Sequence, residues 1–301
     1  MHNVAVIIPV HNRREVTLQC LKRLQNIKHD NFNYHVIVID DGSNDGTTEA
    51  VANNFPSVTI LNGNGNLWWA GGINVGLRHA QANKFDFIYS LNDDVAIQED
   101  TLQKLYSFAV DNLGAHTSVA VDPDNGKICD SGYIISGFLR KMRPVMKGIL
   151  YNNAINHITK VDAISSMSTS IPISIVNNVG YYDETNFPHN YSDIDYSIRI
   201  KFKSYDLFVN PNSFIYSKGS GSNFHYLVLN MSAKDLFRSF FDLKYGHNLK
   251  TLFNSARVRT PFPLCCLIFF HRLFPYLTWF ILKAIFPKEI LKAILIKTNR
   301  I

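Results

Sequence analysis

A single α/β domain, with a mostly parallel central sheet flanked by helices and a helical, amphipathic C-terminal tail, is the fold class these 301 residues predict. Three observations predict it. Short β-branched runs alternate with amphipathic stretches through the first half, the sequence form of repeated βα units. Two of those runs, Val36–Ile39 and Phe85–Leu91, lead into paired carboxylates, Asp40-Asp41 and Asp93-Asp94. Open α/β sheets bind ligands outside the carboxyl ends of their strands, so acids stranded there are better placed for ligand work than for packing.

The elements follow in order. Val4–Pro9 predicts a strand, Glu15–Ile27 a helix, Tyr34–Ile39 a strand, Asp45–Asn53 a helix and Val58–Leu61 a strand. A glycine-rich loop, Asn62-Gly63-Asn64-Gly65-Asn66, precedes a helix over Gly71–Asn83 and the strand Phe85–Leu91. From Asp111 to Ile175 the periodicity weakens and Gly and Pro interrupt it. Order returns with a helix continuing from Ser192-Asp193-Ile194-Asp195 through Lys203, then two short strands, Leu207–Val209 and Phe214–Tyr216. This divides the chain into a domain over 1–230, with a nucleotide-binding half to about 110 and an acceptor half beyond it, and a basic tail over 231–301.

With 46% apolar and 18% charged residues the chain is no disordered polymer. Its net charge of +6 is concentrated: Lys234–Ile301 carries twelve Lys or Arg against three acids, a local +9. A neutral to acidic body with a basic, apolar tail fits an anionic membrane surface. The basic residues alternate with Phe, Leu and Ile and form no nucleic-acid motif, so no nucleic-acid partner is expected. The charge-free runs Thr260–His271 and Leu273–Leu282 are twelve and ten residues long. Both fall short of the roughly 18 to 20 apolar residues of a span. Pro261, Pro263, Pro275 and Pro287 predict short helices that lie on the membrane, or pack on the body or a second copy as a homodimer. Cys20, Cys129, Cys265 and Cys266 show no metal or disulfide spacing, and Val4–Val10 reads as a buried strand, not a targeting segment. The expected location is cytoplasmic, peripheral on the inner face of the cell membrane.

Five strings carry a resemblance. Ile8-Pro9-Val10-His11-Asn12-Arg13, Val38-Ile39-Asp40-Asp41-Gly42-Ser43, Gly71-Gly72-Ile73-Asn74-Val75-Gly76, Leu91-Asn92-Asp93-Asp94-Val95 and Tyr191-Ser192-Asp193-Ile194-Asp195-Tyr196-Ser197-Ile198-Arg199 resemble, in order, the motifs of inverting family 2 glycosyltransferases of the GT-A type. Asn66-Leu67-Trp68-Trp69 looks like the bacterial rhamnosyltransferase-type members. The likeness covers roughly residues 4 to 220.

The resemblance implies transfer of a sugar, rhamnose among the candidates, from a UDP- or dTDP-sugar to a hydroxyl of a polysaccharide or lipid-linked glycan such as O-antigen or capsule. It places Asp94, with Asp93, on a Mg²⁺ or Mn²⁺ ion that stabilises the leaving diphosphate; Asp93 serves the metal or the ribose. Pro9, His11, Asn12, Arg13, Asp40, Asp41, Gly72 and Asn74 fall on the nucleotide side. Asp40 can accept from the N3–H of uracil or thymine, and Asp41 either joins it or caps the following turn. Gly71, Gly72 and Gly76 allow close backbone approach at a helix start, a natural place for phosphate. Trp68 and Trp69 form a wall for the sugar or belong to the core. Asp193 takes the position of the base that deprotonates the acceptor, and Asp195 either contacts sugar or satisfies the helix start. Two departures stand out: Ser192 replaces the usual Glu, and Ser217 stands where the family often has a metal-binding His, with Lys218 or His225 as substitutes. These departures leave a non-catalytic nucleotide- or glycan-binding relative as the second reading. A nucleotidyltransferase is disfavoured because no glycine-rich activation loop follows the first strand.

Overall fold

The computed structural model describes residues 1–152, 157–218, 224–258 and 260–297. It divides into two compact units: Met1–Ile135, Met142–Glu184 and Ser192–Gly219 form the sheet unit, and Ser136–Lys141, Thr185–Tyr191 and Ser220–Ile301 form the helical unit. The boundary expected near 230 falls inside the second unit, because Phe224, Leu227 and Val228 share its apolar cluster.

The sheet unit opens with β1 (His2–Val10), α1 (Arg14–Leu24), β2 (Phe32–Asp40), α2 (Thr47–Asn54), β3 (Thr59–Asn62), α3 (Trp68–Ala82) and β4 (Phe87–Leu91). It continues with β5 (Ala96–Ile97), α4 (Thr101–Asp111), β6 (Gly114–Val121) and β7 (Ile128–Asp130). A separate hairpin pairs β8 (Tyr133–Ser136) with β9 (Lys141–Pro144). Then come β10 (Thr159–Val161), β11 (Ser168–Pro172), α5 (Ile173–Val179), α6 (Ser192–Phe202) and β12 (Asp206–Tyr216).

The central sheet runs β10-β12-β6-β11-β4-β1-β2-β3, with β5 beside β12 and β7 beside β6. The half from β4 to β3 is parallel, as the repeated βα pattern predicts. β6 and β12 are parallel as well, while β11 is antiparallel to both β4 and β6. The two short strands expected after α6 are one strand, β12, whose pairing with β6 shifts register between Asn210 and Phe214. Pro211 lies in that shift, where its missing N–H removes no ladder bond.

β1 is covered on both faces, and the period of two sorts its side chains. Val4, Val6, Ile8 and Val10 join a cluster with Leu21 of α1 and Leu105 of α4, while Ala5 and Ile7 join Ile73 and Leu77 of α3. Because β1, β2 and β4 are parallel, Val10, Asp40 and Leu91 end at one edge, and their loops emerge together. A chain of buried hydroxyls fastens β4 to the strands beyond it. Tyr89 meets Ser168 Oγ at 2.7 Å, Ser168 meets Ser118 at 2.8 Å, Ser118 meets Ser213 at 2.8 Å, and Ser213 donates to the Thr101 carbonyl at 3.0 Å.

The helical unit holds α7 (Phe224–Asn230), α8 (Ala233–Ser239), α9 (Leu249–Arg257), α10 (Leu264–Ile285) and α11 (Lys288–Lys297). Ser232 and Asn248 cap α8 and α9 with their side-chain oxygens, as small polar residues do at helix starts. The expectation of short helices broken at each proline fails at Pro275, which lies inside the 22-residue α10. Proline in a helix interior costs about 3 kcal/mol. Packing on both sides of it, by Ile268, Leu273 and Trp279, offsets that loss. By length and composition α10 would reach across a membrane, contrary to the reading from charge-free runs.

Candidate active site

The loops after β1 and β2 are laced together before any ligand arrives. His11 Nδ1 donates to the Asp41 carbonyl at 2.6 Å, the Asn12 N–H donates to Ser43 Oγ at 2.8 Å, and the Asn44 N–H donates to Asn12 Oδ1 at 2.8 Å. Asn12 adopts φ of 52°, a left-handed conformation that asparagine tolerates. Asp40 is buried; its Oδ1 accepts the Ser43 N–H at 2.8 Å and its Oδ2 accepts the Thr48 hydroxyl. Asp41 accepts the N–H groups of Gly65, Leu67 and Trp68 at 2.8, 2.9 and 3.1 Å, fixing the glycine-rich loop and the start of α3. The capping alternative therefore accounts for Asp41, and Asp40 is also committed to its own chain. A pyrimidine N3–H would have to share Asp40 with Thr48.

The second pair of acids is divided by exposure. Asp93 turns inward, 3% exposed, and accepts from Thr17 Oγ1 of α1 at 3.1 Å. Asp94 turns outward, 49% exposed. Arg13 spans the pair, its Nη1 3.2 Å from Asp93 and its Nη2 3.0 Å from Asp94. Burial pushes the Asp93 carboxyl up to about 6; Arg13 opposes the push, Asp94 adds to it, and Thr17 opposes it. Among the described residues no group of three or more His, Cys, Asp and Glu comes together as a metal cage. Two adjacent carboxylates, one open to solvent, nonetheless suit an ion that draws its remaining ligands from diphosphate and water.

The glycines of α3 serve packing. α3 begins at Trp68, three residues ahead of the expected start, so Gly72 and Gly76 lie within the helix. A Cβ on Gly72 would come within 2.9 Å of Pro9 Cβ, and one on Gly76 would collide with Ile7 Cγ2. Asn74 is likewise buried and bonded to its own chain. It donates to the Tyr182 carbonyl at 3.0 Å and to Glu184 at 2.7 Å, and accepts the Tyr182 N–H at 2.8 Å. Trp68 and Trp69 take different roles: Trp68 is 38% exposed, while Trp69 donates from Nε1 to Asn92 Oδ1 at 3.0 Å and packs edge-on against Tyr182. Trp69 thus stands beside the Asp93-Asp94 loop.

The third acidic station is built at the start of α6. Asp193 accepts the Ile194 N–H at 2.8 Å and the backbone N–H of Ser166. Burial pushes its carboxyl up to about 6; the Ile194 N–H opposes this and the nearby Asp130 adds to it. Ser166 and Met167 join this acid to the other pair, since the Asn92 N–H donates to the Met167 carbonyl at 3.0 Å and Ser90 Oγ donates to the Ser166 carbonyl at 3.0 Å. Asp195 is engaged within its own helix. It is buried and bonded at 2.9 Å to Arg199, which also donates to the carbonyls of Val179 and Tyr181.

Sequence reasoning missed Asp130, whose carboxyl burial raises and which accepts from the Tyr133 hydroxyl. It also missed Glu184, Thr17 and Ser166. Ser217 is buried, its N–H bonded to the Val121 carbonyl at 3.0 Å. Lys218 pairs with the exposed Asp124 at 3.2 Å, and His225 lies edge-on to Trp279 in the helical unit. The Gly/Ser stretch at 219–222 lies outside the described residues.

A parallel half-sheet with laced loops and two acidic stations at its carboxyl edge defines the class: the chain is a GT-A type glycosyltransferase. The model of "Glycosyl transferase family 2" matches residues 5–163, more than half of the sequence, and the chain belongs to that family. No curated protein matches it. Among solved structures it is similar to the mannosyltransferase PcManGT from Pyrobaculum calidifontis in complex with GDP-Man and Mn²⁺, at 15% identity and a TM-score of 0.55, covering 97% of this chain and 86% of that one. GalNAc-T7 with UDP, GalNAc and Mn²⁺ gives 12% identity and a TM-score of 0.59, covering 80% of this chain and 50% of that one. Residues 1–349 of S. aureus TarS give 14% and 0.53, covering 93% and 80%. At these identities the likeness is one of fold.

Proposed function

We propose that the protein transfers a sugar, with inversion, from a UDP- or dTDP-sugar to a hydroxyl of a polysaccharide or lipid-linked glycan, rhamnose being the sugar favoured by the Asn66–Trp69 segment. The observation that carries this reading is the link, through Ser166 and Met167, between a cation-facing carboxylate pair and a separate carboxylate that burial makes more basic. Asp193 takes the proton of the acceptor hydroxyl while that oxygen bonds to the anomeric carbon, and the bond from that carbon to the diphosphate oxygen breaks on the opposite face. Arg13 faces the charge that gathers on the departing diphosphate. Asp94 and Asp93 would hold Mg²⁺ or Mn²⁺, which as a Lewis acid supplies further stabilisation of that charge. The Mn²⁺ of both structural neighbours supports the metal half of this reading, and the UDP of GalNAc-T7 the pyrimidine half. The basic helical unit, with fourteen Lys or Arg against three acids, supports a place on the cytoplasmic face of an anionic membrane, where a lipid-linked acceptor would be found.

Calorimetric binding of UDP, dTDP and GDP, each with Mn²⁺ and with chelator, tests the donor half. Metal-dependent binding of UDP or dTDP is expected, and binding of GDP alone would sink the pyrimidine assignment. Asp193→Asn separates catalysis from binding: turnover is expected to fall steeply while nucleotide affinity stays. Unchanged turnover would sink Asp193 as the base.

A further inference from the structure

Helix α10 reverses the arrangement expected of a surface helix. Its cations face inward: Arg272 donates to Ser255 Oγ and lies 5.6 Å over the Tyr191 ring, and Lys283 donates to the Val228 carbonyl at 2.6 Å. Cys265, Ile268 and Trp279 are buried on that same side. On the opposite side Leu267, Phe270, Phe274, Leu277, Ile281 and Ile285 repeat at intervals of three or four residues, each 41 to 70% exposed. They form one uncharged stripe along about 30 Å of helix. Rows of exposed apolar side chains on this scale mark an interaction surface.

We propose that this outward face of α10 lies in the plane of an anionic bilayer, its side chains entering the headgroup and acyl boundary. The inference rests on the membrane-surface reading given above and adds which face makes the contact. The occupant follows from charge. The unit that presents the stripe carries a net +11, so a second copy against the same face would bring like charges together, whereas anionic lipid complements them. A transverse orientation conflicts with the inner face, where α10 packs against α7, α8 and α9 and holds its two cations.

Flotation of the full-length protein with vesicles of phosphatidylcholine, alone and mixed with phosphatidylglycerol, tests this. The protein is expected to float with the anionic vesicles, and Phe270→Gln/Phe274→Gln/Ile281→Gln to lose roughly tenfold or more in vesicle affinity with unchanged circular dichroism. In Phe274→Trp, the added fluorescence is expected to be quenched more by lipids brominated near the headgroup than by lipids brominated at the chain ends. Equal flotation of parent and triple variant overturns the α10 surface and leaves membrane association standing. No flotation of the parent overturns both. Stronger quenching from the chain ends overturns the in-plane placement. A soluble dimer that the triple variant converts to monomer assigns the stripe to a second copy and overturns the lipid.

Discussion

The acid pair after β4 and the lone acid at the start of α6 differ in what compensates them. Asp93 and Asp94 share a guanidinium, whereas Asp193 is held by backbone N–H groups with a second acid, Asp130, in its surroundings. Both Asp93 and Asp193 are pushed to about 6, chiefly by burial. The difference is that Arg13 leaves Asp93 anchored to a cation, while the groups that bear on Asp193 are the Ile194 and Ser166 N–H groups and the like charge of Asp130. A carboxylate that keeps a cation is suited to charge, and one that does not is suited to a proton.

The largest effect is expected for Asp193→Asn: a loss of roughly 10²- to 10⁴-fold in kcat, the range for a positioned base, with UDP affinity unchanged by calorimetry. Asp94→Asn should produce the opposite split. Metal-dependent nucleotide affinity is expected to fall about 10- to 100-fold, comparable to changes at partners of metal sites. If the two variants lose the same quantity, the division between the stations is wrong.

pH sharpens the same contrast. A base must be ionised, so kcat/KM is expected to fall about tenfold per pH unit below the region of 6, where Asp193 takes up its proton. A profile flat from pH 7 to 5 would remove Asp193 from the reaction. Asp93 also acts on stability. Its folded pKa is raised, so its contribution is fully present below the unfolded value near 4 and lost as pH rises through about 6. Asp93→Asn should therefore gain about 1–3 kcal/mol at pH 7.5 and almost nothing at pH 4, read from urea melts. The smallest effect belongs to Asp130→Asn, which removes a like charge near Asp193 and should move the acidic limb of the activity profile downward. A limb that stays in place would detach Asp130 from the base.

The legible parts of the fold are those with a strong period. β1, β2 and β4 are apolar on both faces and their helices amphipathic, so the parallel half could be read within a few residues of its limits. The antiparallel insertion of β11 could not, because Ser168-Thr169-Ser170 is polar yet buried, the Ser168 and Thr169 hydroxyls pairing with Ser118 and Thr117. In the site, acids at strand ends were visible, but not which acids their own backbone would claim. Asp41 and Asp195 look like ligand groups in a string and are bonded to chain donors in three dimensions. Gly76 and Asn74 read two ways in a string, since a helix packed on a sheet and a helix start facing phosphate both accommodate them. Asp130 belongs to a three-residue strand with no pattern to announce it, and only the fold brings it to Asp193. The tail misled through Pro275, where tertiary packing overrode a local breaker.

The buried hydroxyl chain from Tyr89 to Ser213 has a direction. Its far end meets a carbonyl, which only accepts, so Ser213 must donate to Thr101, receive from Ser118, and pass the same sense back through Ser168 to Tyr89. The two ends of this one-way row are consequently unequal. Tyr89→Phe deletes the first donor and strands no hydrogen, whereas Ser213→Ala leaves the Ser118 hydroxyl pointing at a methyl group, the more damaging loss of a partner. Four strands are thereby fastened by a polarity that a single carbonyl dictates.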